Sequence, residues 1–263
     1  MKNPSSDIMP ETLPKRFVFL DQVRGSLLLS MIIYHIFWDL VWIFSVPIPW
    51  FHSWGAVLWQ QGTAGLFILL SGFCWKLGRK PLQRGLFLLT AGGFLTIGSL
   101  FFSPILPIYF GILTLLGSAM ILTIPAEKLL DLVSPLYGAG VSLLLFFFTR
   151  EIGRGFLGWS QNKILLPKEF YQNFFTAYLG FPPSSFVSAD YFPLIPWLFL
   201  FWTGIFLYRF WRQSSRALPK NHFSFDPIGF LGRHSLGVYL LHQPLINSLL
   251  LGVERWSSFF EAS

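Results

Sequence analysis

Charged residues are scarce in this sequence. Asp, Glu, Lys and Arg make up 12% of its 263 residues, about half the share found in a soluble domain. Hydrophobic residues reach 53% and aromatic residues 19%. A soluble protein of this length could not bury so much apolar surface, whereas lipid accepts it on the outside of a helix bundle. The composition therefore predicts a membrane protein.

Cysteine and the common catalytic motifs are also missing. The single Cys74 excludes an intrachain disulfide framework and a cysteine-built zinc site. We find no Gly-rich phosphate loop with its Lys, no His-rich zinc motif and no GxSxG elbow, which argues against ATP-driven work and the usual hydrolases. We expect no metal, and no signal peptide, because the first 16 residues are polar.

Seven apolar runs are long enough to cross a bilayer, which takes roughly 20 residues. The sequence therefore predicts an all-α, polytopic transmembrane bundle of about seven spans. The third and fourth spans are separated only by Ser103 and Pro104, which predicts a tight helical hairpin. The predicted spans are Gly25–Val46, Trp54–Trp75, Pro81–Phe102, Ile105–Ile124, Leu129–Phe148, Tyr191–Trp211 and Phe230–Val253.

A long mixed segment at about 150–190 interrupts this pattern. Within it, Lys168–Gly180 is rich in aromatic residues and is typical of a helix lying along the membrane surface. An eighth span is the alternative, disfavoured by Lys163, Lys168 and Glu169. The chain is thus interpreted as a polar tail over 1–16, one transmembrane domain over 17–253 with an outer loop at about 150–190, and a short tail over 254–263.

The basic residues predict the orientation. With the N-terminus in the cytoplasm, fourteen of the nineteen Lys and Arg residues fall on the inner side, as the positive-inside rule requires. The same bias accounts for the formal net charge of +7 without a nucleic-acid partner. The long loop then lies outside.

Four ionisable residues form a polar stripe on the first span. Arg24 and His35 are separated by about 20° beyond three full turns, Asp39 lies one turn after His35, and Asp21 one turn before Arg24. Ionisable groups inside a membrane are costly and often functional. The stripe predicts an anion site at Arg24 near the surface and a base at His35, about 16 Å deeper. The structural alternative is a salt bridge between Asp21 and Arg24 with a buried His35.

Other polar residues reach a similar depth from the neighbouring spans. They are Gln60 and Gln61 in the second, His242 and Gln243 in the last, and Asp190 with Tyr191 at the start of the sixth. A His with a carboxylate one turn away suits general base catalysis. Interhelical hydrogen bonding is the plainer reading for at least one of the two glutamines.

Several motifs resemble the heparan-α-glucosaminide N-acetyltransferase catalytic-domain family in its short bacterial form. The resemblance covers about Arg16 to Leu250, and the spacing of Arg24 and His35 also resembles the wider superfamily of transmembrane acyltransferases. The motifs are Leu20–Gly25 with His35 and Asp39, Gly65–Gly72, Asp190–Trp197, and Gly232–Leu236 with Tyr239, Leu240, His242, Gln243 and Pro244. One departure is Thr114, which follows Phe110–Leu113 where the family pattern has His.

The resemblance implies acyl transfer from acyl-CoA (acetyl-CoA), a donor substrate and not a permanently bound cofactor. His35 would activate the acceptor or carry the acyl group briefly. The implied site residues are the catalytic His35, Asp39 and His242, the donor-binding Arg24, Asp21 and Arg233, and the substrate-binding Asp190, Tyr191, Gln243 and Gln61.

The function we predict is an integral membrane acyltransferase of the cell envelope, in the inner membrane of a bacterium. It would move an acetyl or similar group from cytosolic acyl-CoA to an envelope sugar or lipid-linked acceptor, among membrane lipids and as a monomer or a homo-oligomer. A small-molecule or lipid transporter without covalent chemistry is the alternative, and a non-catalytic scaffold is a third. The missing inverted repeats make the transporter less attractive.

Overall fold

A computed structural model describes residues 17–159, 162–214 and 226–261, with side chains described as far as residue 253. The predicted polar tail at 1–16 lies outside these ranges. So do several residues used above to infer the orientation, namely Lys2, Lys15, Arg16, Arg216 and Lys220.

The described residues form a mostly helical protein with nine α-helices. They are α1 (Val18–Trp42), α2 (Trp54–Phe73), α3 (Pro81–Phe102), α4 (Ile112–Leu132), α5 (Pro135–Thr149), α6 (Thr176–Leu179), α7 (Leu194–Gln213), α8 (Pro227–Arg233) and α9 (Ser235–Glu261).

Seven of the helices in the described part are long and apolar enough to cross a membrane: α1 to α5, α7 and α9. This confirms the predicted multi-span membrane bundle. The orientation stays a prediction. We call the side of the bundle where α1 begins the proximal side, and the side where α1 ends the distal side.

The fourth span differs from the prediction. Helix α4 begins at Ile112 and not at 105, so a nine-residue connection at 103–111 replaces the tight hairpin. Proline lacks an N–H and disfavours helix in the residue before it, and Pro104 and Pro107 fall within this connection. Gly92 lies near the middle of α3. If a Cβ atom were added to this glycine, it would lie 2.7 Å from Thr114 Oγ1 of α4. Helix α4 therefore starts level with the middle of α3.

The connection at 103–111 pairs with the chain just before α7. Irregular backbone at membrane depth is tolerated only where protein or a cavity satisfies its polar groups, and these two segments satisfy each other. The hydrogen bonds run from Ala189 N–H to Pro107 O (3.0 Å), from Phe192 N–H to Phe110 O (3.0 Å) and from Tyr109 N–H to Ser188 Oγ (2.9 Å).

The segment between α5 and α7 contains a small hairpin, with β1 (Phe156–Trp159) antiparallel to β2 (Asn162–Leu165). The surface helix predicted over 168–180 is wrong: a 3-10 turn at Lys168–Tyr171 and the one-turn α6 are separate. Asn173 lies between the two. Its side-chain oxygen accepts a hydrogen bond from Phe175 N–H at 2.8 Å, and such a bond competes with the backbone hydrogen bonds of a continuous helix. No long helix occurs among the described residues of this segment.

Glycines allow the helices to cross at close range, as is usual in membranes. A Cβ at Gly72 of α2 would lie 1.9 Å from Phe201 O of α7, and one at Gly204 of α7 would lie 2.1 Å from Leu69 O of α2. The last predicted span is two helices, broken at His234. Helix α8 packs against α1, where a Cβ at Gly232 would lie 1.8 Å from Asp21 O.

Candidate active site

A cavity of about 80 Å³ lies in the middle and distal part of the bundle. Its volume suits a small group and excludes a whole sugar or nucleotide. Helices α1, α2, α4 and α9 and the segment before α7 all contribute to it. Its polar lining residues are Tyr34, His35, Gln60, Thr63, Asp190 and Tyr239. We call it the distal cavity.

Two histidines lie close together here: His35 lines the cavity, and His242 lies next to His35 outside the lining. The rings of His35 and His242 lie 4.8 Å apart between centroids, inclined at 60°. His242 Nδ1 contacts the carbonyl oxygen of Tyr239. Because a carbonyl only accepts, neutral His242 must carry its proton on Nδ1 and leave a lone pair on Nε2. That Nε2 is buried and has no hydrogen-bond partner among the described residues.

Asp39 and Gln243 hold α1 and α9 together beside the histidines. The Gln243 side-chain amide donates to both carboxylate oxygens of Asp39, at 2.9 and 3.0 Å. Asp39 is fully buried, so this partner is needed to satisfy it. The sequence placed Asp39 one turn from His35, where it would orient the imidazole. In the structure the carboxylate is bonded to Gln243, the neighbour of His242.

Asp190 connects α4 to α9. Its Oδ2 accepts from Ile112 N–H at 3.1 Å and from the Tyr239 hydroxyl at 3.0 Å. Ile112 N–H is a free donor of the first turn of α4, where a carboxylate also stabilises the helix dipole. A Cβ at Gly111 would lie 2.6 Å from the same Oδ2. Glycine at this position therefore lets the carboxylate reach the helix end.

A second cavity, of about 250 Å³, lies in the proximal half. We call it the proximal cavity. Its charged lining residues in the described part of the chain are Arg24 and Arg84. Arg24 contacts Asp21 Oδ1 at 3.4 Å and donates to Cys74 Sγ at 3.3 Å, so the salt bridge that the structural alternative expected is present. Arg84 Nη1 is buried without a hydrogen-bond partner among the described residues.

The two cavities share one wall. Phe67, Ile112 and Tyr239 line both of them. Tyr239 is held in this wall by its hydrogen bond to Asp190. These three residues therefore lie between a group bound at the two arginines and a group bound at His35.

Of the predicted site residues, His35, Asp190 and Arg24 line the two cavities, and the others lie outside their linings. Gln61 accepts from Arg150 at 3.3 Å, and its neighbour Gln60 lines the distal cavity instead. Arg233 faces Asp226 at 3.7 Å. Tyr191 donates to Ala177 O at 2.6 Å. Burial raises the pKa of the Tyr191 hydroxyl, which keeps it a donor.

Sequence reasoning missed two residues of the site. Tyr239 precedes His242 by three positions, which places both on one face of a helix, and this spacing was a usable signal. Arg84 was counted only as a basic residue of the inner side. Nothing in the sequence brings it to the cavity that Arg24 lines, because α1 and α3 are separate helices whose relative position depends on the packing of the bundle.

A comparison with known protein families supplies one match. The model of the family described as "Heparan-alpha-glucosaminide N-acetyltransferase, catalytic" matches residues 16–244, which is most of the chain. No curated protein and no solved structure matches the chain.

Proposed function

The chain belongs to the heparan-alpha-glucosaminide N-acetyltransferase catalytic family, and from this premise we propose that it transfers an acetyl or similar acyl group across the membrane. The donor is acyl-CoA, bound from the cytosol at the proximal cavity. The acceptor is a sugar or a lipid-linked molecule that approaches from the other side, and only its reacting hydroxyl or amine group enters the distal cavity. The membrane is the inner membrane of a bacterium.

The observation that carries this proposal is the shared wall between the two cavities. One cavity has the arginines that a phosphate-bearing donor needs, and the other has His35, a base that an attacking nucleophile needs. Phe67, Ile112 and Tyr239 line both cavities. A thioester arm that enters from the arginines meets His35 after passing this wall.

The transfer step uses a proton acceptor in the distal cavity. The oxygen or nitrogen of the acceptor attacks the thioester carbonyl, the new C–O or C–N bond forms as the C–S bond breaks, and the acceptor's proton passes to His35. The CoA thiolate leaves into the proximal cavity and takes up a proton there. The Nε2 atom of His242, which has no hydrogen-bond partner among the described residues, is a second proton acceptor beside His35. The hydrogen bonds between Asp39 and Gln243 fix the position of α1 relative to α9.

Thr114 stands where the family pattern has a His. The Thr114 hydroxyl lies so close to Gly92 of α3 that an added Cβ at Gly92 would clash with it. Thr114 therefore faces α3, and it lines neither of the two cavities described above. His35 lines the distal cavity, and the ring of His242 lies 4.8 Å from the ring of His35. This placement supports a site that works without a His at position 114.

Donor binding is the first test. Purified protein in detergent is expected to bind acetyl-CoA, and Arg24→Gln is expected to weaken the affinity by about 10- to 100-fold, because a charge-assisted hydrogen bond to phosphate is lost. Isothermal titration measures both. Arg212→Gln, which removes an exposed charge outside the cavity, serves as the control.

The transporter alternative makes the opposite prediction. It requires substrate uptake into vesicles without covalent change and without any need for acetyl-CoA. A folded wild-type protein that binds no acetyl-CoA but carries a solute would overturn the acyltransferase proposal.

A further inference from the structure

The proximal cavity collects positive features from three helices. Arg24 comes from α1 and Arg84 from α3, and Ser235 and Leu236 at the first turn of α9 also line it. The first N–H groups of a helix have no partner within the helix, and they carry a partial positive charge. Among the described lining residues there is no Asp or Glu.

Of the two arginines that line the cavity, Arg84 is the one with an N–H group that the described residues leave unsatisfied. Its Nη1 is buried and has no hydrogen-bond partner in the described part of the chain. Arg24, by contrast, has Asp21 and Cys74 as neighbours. A buried guanidinium N–H without a partner, in a cavity lined by a second arginine, is unfavourable unless an acceptor such as an anion joins it.

Gly78 leaves the space that the Arg84 guanidinium occupies. A Cβ at Gly78 would lie 1.6 Å from Arg84 Nη1 and 2.6 Å from its Cζ. The guanidinium therefore lies directly over the Gly78 backbone. Gly78 has an ordinary extended conformation (φ −92°, ψ 147°), so it is the contact with Arg84, and not the backbone, that a side chain here would disturb.

We propose that the proximal cavity binds phosphate groups between Arg24, Arg84 and the N-terminus of α9, with Arg84 set in place by Gly78. A planar guanidinium presents paired N–H donors that match phosphate oxygens, and a helix N-terminus adds further donors. The phosphates belong either to the soluble donor or to an anionic lipid headgroup. The first source rests on the proposed function; the second does not.

The test compares four proteins: the wild type, Arg84→Gln, Gly78→Ala and Lys80→Gln. Lys80 is exposed, so Lys80→Gln removes a nearby charge while leaving the cavity lining intact. The first arm titrates CoA into each protein in nanodiscs of neutral lipid. The second arm measures the thermal midpoint of each protein in neutral nanodiscs and in nanodiscs that contain phosphatidylglycerol.

Arg84→Gln and Gly78→Ala are expected to weaken CoA binding by about 10- to 100-fold, with Lys80→Gln unchanged. If CoA binding does not distinguish the proteins, the lipid arm decides. A lipid phosphate is assigned when phosphatidylglycerol raises the thermal midpoint of the wild type and of Lys80→Gln, but not that of Arg84→Gln or Gly78→Ala. Wild-type protein that binds no CoA contradicts the proposed function, and the lipid arm then still tests the site. If the two variants match the wild type in both arms, the phosphate site is overturned.

Discussion

His35→Gln is expected to lower the rate of acyl transfer by about 100- to 10,000-fold, the usual contribution of a general base, with little change in the affinity for CoA. Glutamine keeps a polar side chain in the distal cavity but cannot take up a proton. The assay follows labelled acetyl from acetyl-CoA into the envelope material of membranes that express the protein.

A matched control separates chemistry from folding. His52 lies in the connection between α1 and α2, is exposed, and makes an edge-to-face contact with the ring of Trp42. His52→Gln is expected to transfer acetyl at the wild-type rate. If His35→Gln transfers acetyl as fast as His52→Gln, then His35 is not the base and the assignment of the distal cavity fails.

Gly72→Ala is expected to destabilise the protein by about 1–3 kcal/mol, the usual cost of overpacking. The added methyl group would lie 1.9 Å from Phe201 O, and a backbone atom cannot move aside as a side chain can. The crossing of α2 and α7 must therefore open. The measurement is the thermal midpoint of unfolding in detergent.

The control for this prediction lies in the same helix. Nothing lies within 4 Å of a Cβ built at Gly62. Gly62→Ala is expected to be neutral or to stabilise α2 by up to about 1 kcal/mol, because alanine loses less backbone entropy. Equal losses for the two variants would show that the close crossing at Gly72 is not what limits the stability of the bundle.

Much of the bundle was predictable because its signals are local. A run of about 20 apolar residues predicts a span wherever it occurs, and α3 has the predicted bounds Pro81–Phe102. The polar stripe was also predictable from helix periodicity. Asp21 and Asp39 are buried, and Arg24 and His35 line the two cavities.

The start of α4 was not predictable from hydropathy. The apolar run continues through 105–111, yet Pro104 and Pro107 keep this segment out of helix, and its backbone groups are satisfied by residues 188–192. That pairing joins segments some 80 residues apart, so no local pattern shows it. It also fixes where Ile112 and Asp190 meet, and with them the wall between the cavities.

The sequence predicted several residues of the candidate site but not the hydrogen-bond partners of these residues. His35 and His242 were expected at one depth, and their rings are adjacent. The partner of Asp39 is Gln243 and not His35, because the packing of α1 against α9 brings the amide within reach. The same dependence on packing explains why Gln60, and not Gln61, lines the distal cavity.

The most direct test of the account is a structure of the protein determined with CoA bound. The account predicts phosphate groups within hydrogen-bond distance of Arg24 in the proximal cavity, with the thiol end of the pantetheine arm at the wall formed by Phe67, Ile112 and Tyr239, next to His35. CoA bound elsewhere, or bound with its thiol directed away from this wall, would contradict the claim that the acyl group passes from the arginines to the histidines.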